Sequence, residues 1–568
     1  MKRTILSALC ALALIQSCCR ENNFEKLNAR AAEEYLVPVR PYIPGEAPCW
    51  NTYSRDFKFA PVFDFAPVQG AASYRYTVWQ DTATSYVWTV PVMQQKDNRY
   101  VKSHPTDLTP GYFRELAIDA PTSVSWSFCA ASPNESLAPI WQDIPVGNCR
   151  LIVEALDASG KVIATAGDRL FIRDFPFEGP YTAAPRPYRE CVLKGCLYVH
   201  TLPSTQAWKE SSEPDMSYKH NTYACKIIGS VIRLEVLFAR LAPSKAEECT
   251  QIARSAAAFL MSQAQPEGSP LAYFPPTYYG NEIASAKAEN KGTTMMMEAA
   301  TAGNAFLDLY DLTGEQSYLD FAKGIADTYR RIQRKDGSYP VKVYIETGEP
   351  NAESCAMIGP LLQYFQRFKE QYGIEDYADA QLKGESWMKE TIDRDFELKG
   401  QFEDGSQNGW QPYQNLTNSA GSSFVKYLCS KPDMTKEDMA LSEDIMRFNE
   451  DQFVHWDALP NRDGFRQIVT PGVYEQYEYR VPIDCSAHNV SSAWIAMYRR
   501  NPDELYLQKA KALVDAIANV QDPVSGFIPT TWDLRSHKKN LTRAYWINCT
   551  YASLSVLLSM GELLEKEE

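Results

Sequence analysis

A short punctuation recurs along this chain: "PEGSPLAYFP" (Pro266 to Pro275), "KDGSYP" (Lys335 to Pro340), "EDGSQNGWQP" (Glu403 to Pro412), "RDGFRQIVTP" (Arg462 to Pro471) and "VSGFIP" (Val524 to Pro529). With Gly268, Gly337, Gly405, Gly464 and Gly526 as markers, the spacings are 69, 68, 59 and 62 residues. Regular recurrence of this kind marks a supersecondary unit that cannot bury its apolar side alone and must stack on its neighbours. In such a turn Gly carries the chain out of one element, Pro stiffens the extended segment that follows, and Asp336, Asp404 and Asp463 are expected to accept backbone hydrogen bonds.

The segments between the markers are helical and of two kinds. Ahead of each turn lies a charged amphipathic stretch. In "GEQSYLDFAKGIADTYRRIQRKDG", Tyr318, Ala322, Ile325, Tyr329 and Ile332 recur at steps of 4, 3, 4 and 3 and share one face. Leu507, Ala510, Val514 and Ile517 repeat the pattern in "DELYLQKAKALVDAIANVQ". Earlier in each period stands a helix apolar almost all round and rich in small residues: "YACKIIGSVIRLEVLF", "TTMMMEAATAGNAFLDLY", "ESCAMIGPLLQYF", "NSAGSSFVKYL", "SAHNVSSAWIAMY" and "NCTYASLSVLLSM". Helices of that composition belong inside, where Gly and Ala allow close approach. Six inner helices with five outer partners argue for a closed toroid of helical hairpins, with an open solenoid as the rival. The pattern resembles the six-hairpin, or (α/α)6, carbohydrate-active enzymes, which include glycoside hydrolases, polysaccharide lyases and sugar epimerases. The resemblance runs from about Tyr188 to the end and implies a barrel over residues 192–568 and sugar chemistry.

The first half has a different texture. From residue 35 to 173, "ASYRYTVWQD", "SYVWTV", "SVSWSF" and "CRLIVEALDASGKVIATAG" alternate in polarity, are rich in β-branched and aromatic residues, and predict an antiparallel β-sandwich with a hairpin at "DASGK". "FDFAPVQGAASYRYTV" and "GNCRLIVEALDASGKV" resemble immunoglobulin-like or fibronectin-type modules placed ahead of bacterial glycan-degrading domains. Residues 174–191, dense in Pro and Gly, read as a linker.

At the start, "MKRTILSALCALALIQSCCR" has a basic beginning, an apolar run from Ile5 to Ile15, and Ser17 before Cys18. This is the form of a secretory signal, residues 1–17. The "IQSC" ending resembles a bacterial lipoprotein box, which implies lipidation at Cys18, a tether over residues 18–34, and an exported protein held on the outer membrane or cell surface by its lipid alone. No later stretch reads as the roughly 18 apolar residues of a membrane span. With 71 acidic against 57 basic residues, a formal charge of −14 and no basic block, nucleic acid is excluded as a partner. The 14 cysteines form no CxxC and no Cys/His set at zinc spacing, so neither metal nor cofactor is expected. Cys191 with Cys196, or Cys129 with Cys149, are possible disulfides, and buried free thiols fit equally.

In a toroid the segments leading into the inner helices meet at one end. There stand His220, Asn290, Glu353, Trp410, Tyr413, Glu475, Tyr477, Glu478, Arg480, Asp484, His488, Trp532, Arg543, Tyr545, Trp546 and Asn548. Such a mixture suits a sugar, whose hydroxyls meet acids, Asn and Arg and whose C–H faces meet Trp and Tyr. Oligo- or polysaccharide is therefore the expected partner. Glycosidic hydrolysis needs one carboxylic acid and one carboxylate. Asp484, at the start of an inner helix, is expected to be ionised and to act as base, with His488 one turn deeper, and Glu353 to be the proton donor. Glu298, mid-helix among methionines, must be paired or protonated. Two other readings stay open. One is a lyase or epimerase in which Tyr477, His488 or His220 removes a proton beside a uronic carboxylate held by Arg480 or Arg543; the other is a lipoprotein that binds glycans without cleaving them.

Overall fold

The computed structural model describes residues 23–39, 54, 56–81, 121–281, 287–351, 353–396, 398, 416–457, 469–477, 482–532 and 545–566. Cys18, Trp410, Tyr413, Glu478, Arg480 and Arg543, together with the turns at Gly405 and Gly464 and the segment "SYVWTV", lie outside them.

Part of the expected tether is a helix, α1 (residues 23–34), whose Phe24, Leu27 and Ala31 are buried. A five-stranded sheet follows, built from β1 (Asp56–Phe57), β2 (Ser73–Asp81), β3 (Ser123–Ala130), β4 (Gly147–Leu156) and β5 (Val162–Arg173), with the short helix α2 (Ala138–Trp141) between β3 and β4. The spatial order is β1-β5-β4-β2-β3, antiparallel except for the parallel β1–β5 pair. β4 and β5 form the expected hairpin, and its Asp157 to Lys161 turn is closed by Asp157 N–H donating to the Lys161 carbonyl at 2.9 Å. Among the described residues these strands form one mixed sheet, and the expected sandwich is not clearly shown. Its inner face, with Tyr76, Val78, Leu151 and Val153, belongs to a core completed by Phe57, Phe63 and Trp141.

Helix α3 begins at Tyr188 (Tyr188–His200), within the segment expected as a linker, and is followed by a short α4 (Pro203–Gln206). Next come the hairpins. The inner helices are α5 (Ala224–Leu241), α7 (Glu298–Thr313), α9 (Gly359–Tyr372), α11 (Asn418–Ser430), α13 (Asp484–Arg500) and α15 (Ile547–Glu565). The outer helices between them are α6 (Ala246–Ser262), α8 (Gln316–Ile332), α10 (Ala378–Asp395), α12 (Lys436–Phe453) and α14 (Glu504–Val520). Two-stranded ribbons, β6 (Thr293–Met295) with β7 (Lys342–Tyr344) and β8 (Val454–His455) with β9 (Gly472–Val473), tie the links together. Each inner helix packs on the next, and α15 packs back on α5, so the ring is closed and the open solenoid is ruled out. The sixth outer helix is α3, which lies against both α15 and α5. It precedes the first inner helix instead of following the last, which is why the repeat does not show it.

Helix α15, 19 residues with a mean hydropathy of 1.2, is long and apolar enough to cross a membrane, contrary to the sequence reading. Its composition suits its place in the ring, where α3, α5 and α13 cover it.

The repeated turns do what their residues dictate. Gly268, Gly337 and Gly526 have φ of +86°, +92° and +81°. Asp336 Oδ1 accepts from Ser338 N–H at 3.0 Å, and Asp522 Oδ1 from Ser525 N–H at 2.7 Å. At Gly337 a Cβ would stand 2.2 Å from the Lys383 carbonyl on α10. G337A is therefore expected to lose more than the ~1–2 kcal/mol of left-handed backbone strain alone, read as a lowered urea midpoint.

The sheet and α1 are bound to the barrel through buried charge. The Lys58 and Phe59 N–H groups donate to Asp451 Oδ1 on α12 at 2.6 and 2.9 Å, and Lys58 Nζ pairs with Asp174 at 3.0 Å. On α14, Lys509 Nζ reaches Glu34 at 2.8 Å and Glu450 at 2.6 Å. Glu450 Oε1 also accepts from Tyr35 Oη at 2.5 Å and Trp456 Nε1 at 3.1 Å.

Candidate active site

Short links between inner and outer helices make each pair antiparallel, so all six inner helices start at the same end. Contacts across that end confirm it. Trp546, just before α15, stacks on His220, just before α5, with ring centroids 3.9 Å apart. Asn418, first in α11, donates to the Tyr474 and Glu475 carbonyls at 2.7 and 3.0 Å. From this mouth a cavity of about 960 Å³ runs down the barrel axis, from Glu298 and Ser419 in the first turns to Arg240 and Ser430 at the far ends.

Two acids at the mouth stand out. Glu298 is the first residue of α7, not mid-helix as its methionine neighbours suggested, because "TTM" pairs as strand β6 before the helix begins. It lines the cavity, and its Oε2 is occluded with no hydrogen-bond partner among the described residues. Glu475 lies in the segment before α13, where its carbonyl accepts from Asn418 at the start of α11. Burial raises the pKa of both carboxyls, and in both the positive charge of Lys226 pulls the other way. Lys226, in the first turn of α5, sits 5.2 Å from the Trp546 ring centroid and 5.6 Å from that of Tyr223. One ammonium thus serves two half-buried acids beside a partly exposed indole.

The other expected site residues are distributed differently. Asp484 does begin α13, but it is fully buried. Its Oδ1 accepts from Cys485 N–H at 2.8 Å and its Oδ2 from Ser553 Oγ at 3.2 Å. Burial raises its pKa well above the carboxylate range despite those donors, so the expected ionised base is corrected to a proton-keeping group between α13 and α15. Glu353 is exposed and stands in an extended segment, because Pro360, with no N–H to donate, sets the start of α9 at Gly359. It is not at a helix entrance. His488 lies one turn below Asp484, 3.5 Å from Ser555 Oγ, and burial followed by the charge of Lys426 lowers its pKa well below the usual histidine value.

Trp532 is fully buried, its Nε1 donating to the Pro529 carbonyl at 3.1 Å, and Tyr545 is buried against Tyr198 and Phe527. Tyr477 is buried with its hydroxyl on Gln452 Oε1 at 2.8 Å. These three are corrected from sugar-facing groups to packing groups, since aromatics large enough to stack on a ligand are also large enough to fill the spaces between hairpins. His220 is brought to Trp546, Asn548 has its Oδ1 occluded without a partner among the described residues, and Asn290 is buried with its Oδ1 on Lys342 Nζ. Lys226 was missed from sequence; a lysine in the first turn of an otherwise apolar inner helix was the available signal.

Among the described residues three groups gather metal-type ligand atoms within 4.8 Å: His200, Glu235 and Cys249; Asp484, Cys485 and Cys549; and Asp56, Asp174 and His455. Protein partners already engage each group, as with His200 Nδ1 on Glu235 at 2.9 Å and Lys58 on Asp174. All the described cysteines, Cys129, Cys149, Cys191 and Cys196 included, are free thiols.

The raised pKa of Asp484 has a testable consequence. A carboxyl whose folded pKa is raised contributes stability that is complete below its unfolded pKa and is lost as pH rises towards the folded one. D484N, the isostere of the protonated form, is expected to be more stable than wild type at pH 7, with the gap closing below about pH 4. Urea midpoints at the two pH values read the sign.

No family model matches the chain, and no curated protein matches it. Among solved structures the chain is similar to a family 76 glycoside hydrolase from a bovine Bacteroides thetaiotaomicron strain, at 10% identity over 89% of this chain and 96% of that one, with a TM-score of 0.44. It is similar to cellobiose 2-epimerase from Spirochaeta thermophila at 12% identity over 66% and 98% of the two chains (TM-score 0.46). It is similar to an unsaturated glucuronyl hydrolase specific for heparin at 11% identity over 66% and 98% (TM-score 0.42). These likenesses are remote, and the ring of hairpins stands on its own closure.

Proposed function

We propose that this protein is a carbohydrate-active enzyme, most simply a glycoside hydrolase, whose reacting groups are Glu298 and Glu475. The observation that carries the reading is the pair of half-buried acids at the inner-helix entrances, both acted on by the charge of Lys226. Burial raises the pKa of both and Lys226 opposes that rise in both, which favours one of them keeping its proton while the other is ionised. The pair then supplies what glycosidic cleavage requires: an acid to protonate the leaving oxygen and a base to activate water or attack the sugar. Trp546 and His220 form an aromatic wall beside them for the sugar ring. The burial of Tyr477 withdraws the tyrosine base of the lyase reading. Lipidation at Cys18 would hold the enzyme on an exported face of the membrane.

The test is incubation of the full chain with neutral and uronic oligosaccharides of both anomeric configurations. Shorter products without ultraviolet absorbance support hydrolysis, unsaturated products transfer the assignment to a lyase, and binding without shortening sinks the enzymatic reading.

A further inference from the structure

Below the mouth the axial cavity changes character. Lys426 on α11 and Arg233 on α5 both line it, and those helices lie three places apart in the ring, so the two cations face each other across the axis. Both stand about 12 Å below the first turns of their helices, from their sequence positions and the helical rise. Arg233 is held by Asp308 Oδ2 at 2.6 Å, with its guanidinium 4.5 Å from the Tyr551 ring centroid. Asp308 also takes Arg367 at 2.7 Å, so one carboxylate already answers two guanidiniums. Asp311 is engaged by Arg367 at 2.8 Å. Among the described residues Lys426 has no hydrogen-bond or ion-pair partner. Burial, followed by the like charge of Arg233, lowers its pKa to about 8. Asn489, an uncharged donor, lines the same cavity, and His488 is near enough for both cations to act on it.

Two more acids line the cavity, Glu298 at its mouth and Glu370 towards the far end of α9, and neither pairs with Lys426 among the described residues; a half-buried cation opposite another cation is costly unless something negative shares the space. We propose that the axial cavity holds a small oxyanion of the sulfate or phosphate class between Lys426 and Arg233, beneath the glycan site. An oxyanion of this kind would accept from the ammonium and from the guanidinium edge, both charge-assisted contacts. The ion is either free or a substituent of a bound sugar, and the chemistry of recognition is the same for both.

The experiment is calorimetric titration of the full chain, at constant ionic strength, with sodium sulfate, sodium phosphate and a sulfated monosaccharide. At least one is expected to bind saturably with one site per chain, with K426M weakening it about tenfold or more and K426R weakening it less. Equal binding of the inorganic ion and the sugar sulfate points to a free ion; a preference for the sugar points to a substituent. Acylation of Lys426 in wild type, followed by peptide mapping, gives a readout that needs no variant, and sulfate or phosphate is expected to slow it. No saturable binding by any of the three, no protection of Lys426, or unchanged affinity in K426M overturns the proposal. None of these readouts requires glycan cleavage, so this site and the glycosidase reading can fail separately.

Discussion

E298Q and E475Q are each expected to lower kcat/KM on a cleaved oligosaccharide by about 10²–10⁴-fold, the range of a positioned acid or base. Glutamine keeps the shape and removes the titrating proton, so circular dichroism and thermal midpoint should stay near wild type while turnover falls. Because the two acids act as a unit, the double variant should fall well short of the product of the single losses. The pH profile carries the same information. Activity requires one group ionised and the other protonated, so it should drop on the acid side as the base gains its proton and on the alkaline side as the acid loses its own. Burial raises both groups, so both limbs lie above those of exposed carboxylates. Removing the opposing charge with K226M raises both further and should move the whole bell to higher pH. Retention of wild-type turnover by either glutamine variant would remove that residue from the mechanism.

The largest stability effect is expected at Lys509. The ammonium is 1% exposed and lies between Glu34 at the end of α1 and Glu450 on α12, with Tyr35 and Trp456 completing the set around Glu450. Removing one partner of a buried ionic group leaves the other charges uncompensated, which costs about 3–5 kcal/mol. K509M should therefore lower the unfolding free energy by that amount, read as a lower urea midpoint, without abolishing cleavage, since the mouth of the barrel lies elsewhere. E34Q should cost much less, because Glu34 is partly exposed and water can replace its partner. A K509M chain as stable as wild type would mean that the network adds nothing to holding α1 against the ring.

The hairpins were legible because their signal is redundant: the period of the turns, the two kinds of helix and the Asp-Gly chemistry all point to one architecture. Helix α3 escaped because it repeats nothing; it stands ahead of the period it completes. In the first half, alternation along a strand shows that one face is covered, without showing whether a second sheet or a helix and loops do the covering. In the site, sequence drew attention to the inner-helix entrances, and the structure gathers Glu475, Trp546 and His220 there. It went astray over Asp484, because the first turn of a helix favours an ionised acid only when solvent or a counter-charge is near, and full burial outweighs a few donors. It went astray over Glu353 because helix composition continued past the position where Pro360 allows a helix to begin. Lys226 and Lys426 carried little sequence signal, since what matters for each is a residue on another helix.

The pairing of α3 with α15 makes the barrel a loop fastened by its own two ends. During synthesis α3 and α5 emerge several hundred residues before α15 reaches them, so the seam between first and last hairpin stays unzipped until the final helix leaves the ribosome.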